Sequence, residues 1–214
     1  MAVLDATKLK VYNKALYIVG SRRLVTLTDT REGRRVLDEI WGTDDDLVLW
    51  ALEKGEWNFA LRAAEVDYTP SVSPGWGFTY AFDKPSDFRR LAGLYSDERM
   101  HNPLTNDQYL DEATYWFTDT SVIYVRYVSD HDDYGLNSAA WSEQFMDLLA
   151  ARLAERASFR INNSQTDKRM AEKELERALK AAKSLDAMGE GVKFPPRGSW
   201  VRSRSGSRWN GETL

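Results

Sequence analysis

Two histidines and no cysteine leave this chain few groups for bond-making chemistry. Without cysteine there is no disulfide, thiol nucleophile or zinc–thiolate site to weigh. His101 lies in Met100-His-Asn-Pro103, a turn-like context, and His131 lies in Ser129-Asp-His-Asp-Asp133, whose composition is that of a metal site. The second run reads as a polar loop ahead of a helix, with carboxylates placed to cap backbone amides. Asp44-Asp45-Asp46 reads the same way, because aspartates in a first turn complement the helix dipole. Glu53 with Glu56, and Asp111 with Glu112, have the residue types of a glycosidase acid and base. With 33 acidic side chains in the chain, close pairs arise by chance. Gly75-Trp-Gly-Phe78 lacks the glycine spacing and following Lys-Ser/Thr of a phosphate loop. No serine sits in a nucleophile elbow. We therefore assign no catalytic residue, metal ligand or cofactor site, and expect that the chain is not an enzyme.

Binding is the alternative, and the segment 191–214 is built for it. It carries large anchors at Phe194, Trp200 and Trp209, with Lys193, Arg197, Arg202, Arg204 and Arg208 between them. Pro195, Pro196 and recurrent glycines prevent it from continuing a helix. Ordering such a segment costs on the order of 20–40 kcal/mol of backbone entropy. Three buried aromatics return about 4–6 kcal/mol each. Side chains alone do not fix it, so backbone pairing is expected as well, for instance as a strand added to a sheet, with charge-assisted bonds from the arginines. The chain's net charge is −4, of which residues 192–214 contribute +4 and the remainder −8. An acidic body with a basic arm suits contacts between copies or with an acidic partner. Arg22, Arg23, Arg31, Arg34 and Arg35 are interleaved with Asp29, Glu32, Asp38 and Glu39. They read as a solvated face or subunit contact rather than a nucleic-acid patch.

The elements that must carry these residues follow from periodicity. Leu4, Leu9, Tyr12, Leu16 and Val19 predict a helix over 4–19 that ends at Gly20. A second helix runs from a cap at Thr28, Asp29 or Thr30 to about Trp41, and a third from Thr43 to about Gly55. From Trp57 the pattern turns to alternation and β-branched or aromatic runs. Strands are expected over 57–66, 75–82 and 91–95, and over 113–118 and 121–128 as a hairpin turning at Asp119-Thr120. Helix returns at about Asn137, with Trp141, Phe145, Leu148, Leu149 and Leu153 on one face. Ser164-Gln-Thr-Asp167 resembles a capping box opening a last helix, whose face is Met170, Leu175, Ala178, Leu179, Ala182 and Leu185 and which stops at Gly189. The expected fold class is α+β: an antiparallel helical bundle from residues 1–56 and 130–190, interrupted by a mostly antiparallel β insertion at 57–129, with an extended C-terminal arm at 191–214. No apolar run approaches a membrane span, and the N-terminus lacks the pattern of a signal peptide.

Several runs together resemble a known family. They are Ala15-Leu-Tyr-Ile-Val-Gly20, Arg23-Leu-Val-Thr-Leu27, Leu52-Glu-Lys-Gly-Glu-Trp-Asn-Phe-Ala60, Gly75-Trp-Gly-Phe-Thr-Tyr-Ala-Phe82, Pro85-Ser-Asp-Phe-Arg-Arg-Leu91, Ile123-Tyr-Val-Arg-Tyr127 and Phe145-Met-Asp-Leu-Leu-Ala-Ala-Arg-Leu-Ala154. In this order and spacing, over nearly the whole chain, they resemble tail tubular protein A, the head-to-tail adaptor of short-tailed bacteriophages. The resemblance implies a structural virion protein, made in the host cytoplasm, that forms a ring of typically twelve copies beneath the portal protein. Such a ring extends the DNA channel without sequence-specific DNA binding and offers a surface to the tail nozzle protein and tail fibres. It implies a helical bundle with an inserted β domain, a C-terminal segment reaching toward the portal, and no catalytic residues. Residues Lys193, Phe194, Arg197, Trp200, Arg202, Arg204, Arg208 and Trp209 are accordingly expected to bind the portal or a neighbouring subunit. Two alternatives predict different features. A tail-associated hydrolase needs a perturbed carboxylate pair in a cleft, and a DNA-binding protein would use the basic arm on phosphates, with strong salt dependence.

Overall fold

The structure is a computed structural model that describes residues 2–42, 47–74 and 77–189. It is α+β, with five helices and two three-stranded antiparallel sheets. The helices are α1 (Ala2–Val19), α2 (Glu32–Gly42), α3 (Leu47–Glu53), α4 (Glu143–Asn162) and α5 (Gln165–Gly189). The strands between α3 and α4 are β1 (Leu61–Asp67), β2 (Tyr80–Asp83), β3 (Phe88–Tyr95), β4 (Tyr109–Asp111), β5 (Tyr115–Thr118) and β6 (Val122–Ser129).

Helix α1 ends where expected, because Gly20 takes a left-handed conformation at φ 75° that costs a residue without Cβ nothing. At the start of α4, the Ser142 hydroxyl accepts from the Phe145 amide at 3.2 Å. The helix therefore begins at Glu143, not at 137, and Trp141 anchors the approach to it by donating its indole N–H to the Gly135 carbonyl at 2.9 Å. Gly135 is obligatory there: a Cβ would lie 2.2 Å from the Ser129 carbonyl oxygen. Ser164 caps α5 as expected, accepting from the Asp167 amide at 3.3 Å. The Asp167 carboxylate does not complete a capping box; it accepts from the Asn162 side chain at 2.9 Å.

One hydrophobic cluster joins all five helices. Tyr12, Ala15 and Leu16 of α1 meet Val36 and Leu37 of α2, Ala51 and Leu52 of α3, and the buried face of α4. Trp57 closes this cluster. It is 1% exposed, donates to the Ala51 carbonyl at 2.8 Å and meets the Phe145 ring edge-on at 5.2 Å. That anchoring explains a shorter strand than expected: residues 58–60 form a single 3₁₀ turn, and β1 starts at Leu61. Strand β2 likewise starts only at Tyr80, and Gly75 and Trp76 of the expected strand lie outside the described residues.

The sheets have the orders β1-β6-β3 and β2-β5-β4. They face one another across a second cluster made of Phe82, Leu94, Trp116, Ile123, Val125 and Tyr127. The expected hairpin between residues 113–118 and 121–128 does not form, because β5 and β6 belong to different sheets. A strand has two edges, and both edges of β6 are taken, by β1 and by β3. Asp119 turns the chain from one sheet into the other, its carboxylate accepting from the Thr79 amide and hydroxyl at 3.0 Å.

Candidate functional site

The residues expected from sequence to bind a partner, Lys193 to Trp209, lie outside the described residues. Their attachment point is described. Helix α5 ends at Gly189 beside Asn58, which lies just ahead of β1. The Asn58 amide donates to the Asp186 carboxylate at 3.1 and 3.2 Å, and the Asn58 side-chain amide donates to the Asp186 carbonyl at 2.8 Å. The root of the C-terminal segment is thereby fixed at the foot of the first sheet.

A groove of about 1120 Å³ runs between α1, α4 and α5. Small side chains open it: Ala150 and Ala151 of α4 and Ala178 and Ala181 of α5 line it with Leu9 and Ile18 of α1. Part of its charged wall is paired within the chain. Glu143 accepts from Lys10 and, at 2.6 Å, from Lys14, which also donates to Asp147 at 2.6 Å. The hydrogen bonds from Lys10 and Lys14 bring the Glu143 carboxyl down to about 2. Desolvation opposes charge on Lys14, but its bonds to Asp147 and Glu143 outweigh this and raise its pKa. Both groups therefore hold their charge at neutral pH and have no proton to exchange. Tyr17, 86% exposed, stands on the rim. Met170, Leu185 and Met188 continue the α5 stripe at helical spacing and are all exposed. Met170 and Leu185 belong to the apolar face read from the sequence, yet they are not covered. The groove is suited to packing against another surface.

The other candidate residues do not converge. His131 Nδ1 accepts from the Asp133 amide at 3.2 Å, closing a loop. His101 is exposed beside Asp97, whose carboxylate accepts from the His101 and Asn102 amides at 3.0 and 2.7 Å. Among the described residues, no group of three or more His, Cys, Asp or Glu side chains is arranged to hold a metal ion; Asp44, Asp45 and Asp46 lie outside them. Glu56 faces Arg90 at 3.7 Å, and Asp111 pairs with Lys84 at 2.5 Å. Of the arginine run, Arg31 pairs with Asp29 at 3.3 Å and Arg34 with Asp38.

Two features were not anticipated. The first is Asp87, buried where the sheets meet the helical cluster. It accepts from the Tyr127 hydroxyl at 3.0 Å, the Ser129 hydroxyl at 2.5 Å and Arg62 Nη1 at 2.8 Å. Desolvation would raise its pKa, but the bonds from Ser129, Arg62 and Tyr127 together hold it below the usual carboxylate value. Burial and the Asp87 carboxylate push the Tyr127 hydroxyl up to about 12. With Tyr127, Ser129 and Arg62 all donating to one carboxylate, this cluster ties β1 and β6 to the start of β3. The only sequence signal was an aspartate in Pro85-Ser-Asp-Phe88, indistinguishable from a turn residue. The second is the outer face of the first sheet, where Tyr124 sits among Glu65, Glu98, Asp67 and Asp97; reduced hydration and then these carboxylates raise its pKa.

No family model matches the chain, and no curated protein matches it.

Proposed function

We propose that the chain is a structural virion protein, the head-to-tail adaptor of a short-tailed bacteriophage. On this reading typically twelve copies form a ring between the portal and the tail nozzle, extend the DNA channel and offer a surface to tail fibres. The observation that carries it is the agreement between an ordered set of sequence runs and the packing they adopt. Helices from before and after the strand block share one hydrophobic cluster, which Val128 of β6 and Leu61 of β1 also join, while the other buried strand residues centre on a second cluster. That arrangement supports residues 1–56 and 130–190 as a discontinuous helical bundle, with 57–129 as an inserted β unit. Residues 191–214 are the proposed partner-binding arm. The apolar groove between α1, α4 and α5, with Tyr17 on its rim, and the exposed Met170, Leu185 and Met188 of α5 supply surface for a neighbour in a heterologous, ring-closing contact.

In a ring, each weak arm contact is made many times, and the later attachments are effectively intramolecular. An acidic body also suits a channel through which DNA must move without sticking. Averaged electron images of the purified protein, alone and mixed with its portal, test the reading. A closed ring coaxial with the portal is the expected result. A particle that stays monomeric on the portal, or has an unrelated symmetry, overturns it.

A further inference from the structure

Strand β1 is an end strand. It pairs with β6 on one side, and no backbone hydrogen bond from another described element reaches residues 61–67 on the other. It contains no proline or glycine, and an open edge of this length is a template for another strand. Its side chains alternate: Ala64 and Val66 pack toward the cluster between the sheets, while Ala63, Glu65 and Asp67 are exposed. Glu65 and Asp67 have no ion-pair partner among the described residues, and Asp97 and Glu98 are close enough to add to the same negative field.

The occupant is indicated by where the described chain stops. The α5 C-terminus is bonded to Asn58 through Asp186, and β1 starts at Leu61. The described chain therefore ends at the foot of the first sheet, beside the residues that lead into β1. Residues 190–198 reach about 30 Å when extended, more than the roughly 20 Å length of β1. The following run, Ser199-Trp-Val-Arg-Ser-Arg-Ser205, alternates as a strand would. Arg202 and Arg204 fall on one face with Trp200, and Val201 and Ser203 fall on the other.

We propose that residues 199–205 of the same chain add to the free edge of β1, with Arg202 and Arg204 beside Glu65 and Asp67 and Val201 on the side of Ala64 and Val66. Backbone pairing sets the position, and cross-strand charge pairs set the register. A short linker gives the chain's own segment a high effective concentration over that of any second copy. The contact covers an edge that would otherwise pair copies indiscriminately. It rests on the adaptor reading in one respect only: the portal would then receive the arm by exchange for this seat.

The absence of cysteine makes the test direct. Spin labels are placed at Ala63→Cys and Ser203→Cys in the full chain, and dipolar broadening is read with and without a large excess of unlabelled chain. The expected result is broadening that survives dilution. Broadening that disappears on dilution would place the arm of a second copy on β1, and no broadening would leave the edge empty; either overturns the proposal. Arg202→Glu with Arg204→Glu should abolish the signal, and adding Glu65→Lys with Asp67→Lys should restore it. Failure of that rescue, with the thermal midpoint unchanged, overturns the assigned pairing. The portal plays no part in this measurement, so its outcome and that of the ring images are independent.

Discussion

Helices α4 and α5 are consecutive and comparable in length, 20 and 25 residues, yet they use their surfaces oppositely. Helix α4 buries ten residues, from Phe145 to Ser158, and is packed by α1, α2, α3 and α5. Helix α5 buries only Ala171 and Ala182, lies mainly on α4, and leaves Met170, Leu185 and Met188 in solvent. A helix packed by four others holds the fold together. A helix supported along one side leaves its other faces for something outside the chain. The stability of this protein should therefore reside in α4 and the elements around it, while the exposed apolar stripe of α5 should serve association.

The largest expected effect tests the first half of that contrast. Phe145 is fully buried and touches Trp57, Phe59 and Trp141 edge-on. Phe145→Ala should cost about 3–5 kcal/mol, the range for deleting a buried aromatic and leaving a cavity. Urea unfolding with an unchanged slope measures it. A loss below about 1 kcal/mol would mean that α4 is not the centre of the core.

A smaller effect is expected at the junction between the two clusters. Asp87→Ala removes the acceptor shared by Tyr127, Ser129 and Arg62, and should cost about 1–3 kcal/mol. The pH dependence has a defined sign. The folded-state pKa of Asp87 is depressed, so its contribution is complete above the unfolded carboxylate value and is lost as pH falls through the folded one. The Tyr127 pKa is raised to about 12, so the neutral phenol's contribution is complete below its unfolded value and is lost as pH rises toward 12. The wild type should show both limbs in its midpoint–pH curve. Asp87→Ala should flatten the acid limb, and an unaltered acid limb would place the linkage on other carboxylates.

The smallest effect sharpens the second half of the contrast. Met170→Glu and Leu185→Glu in α5 should change unfolding free energy by no more than about 0.5 kcal/mol, as exposed substitutions do. The same variants should weaken self-association in sedimentation velocity. A marked loss of stability would show that α5 carries more of the core than its burial indicates, and the two helices would then differ in degree only.

Much of this was legible in the residues. The apolar spacing of Tyr12, Leu16 and Val19, and of Phe145, Leu148, Leu149 and Leu153, fell on helices with the expected buried faces. Gly20 and Ser164 marked helix ends through chemistry confined to neighbouring residues. The α5 stripe was legible as a pattern and misleading as packing. Met170 and Leu185 have helical spacing, and nothing local shows whether a facing helix exists to cover them. The Asp119-Thr120 turn failed for a related reason: its residues suit a reversal, but the competition for the two edges of β6 involves β1 and β3, which are distant in the chain. Asp87 was invisible because Arg62, Tyr127 and Ser129 come to it from 25 to 42 positions away.

Helical periodicity, the helix ends at Gly20 and Ser164 and the charge distribution were thus settled by the sequence alone, because each depends on backbone geometry and neighbours within a few residues. The assignment of strands to sheets, the closure of a polar cluster on Asp87 and the opening of a groove beside α5 were decided only by tertiary structure. They depend on which distant surfaces meet, and a buried group takes its energy from partners that local sequence does not specify.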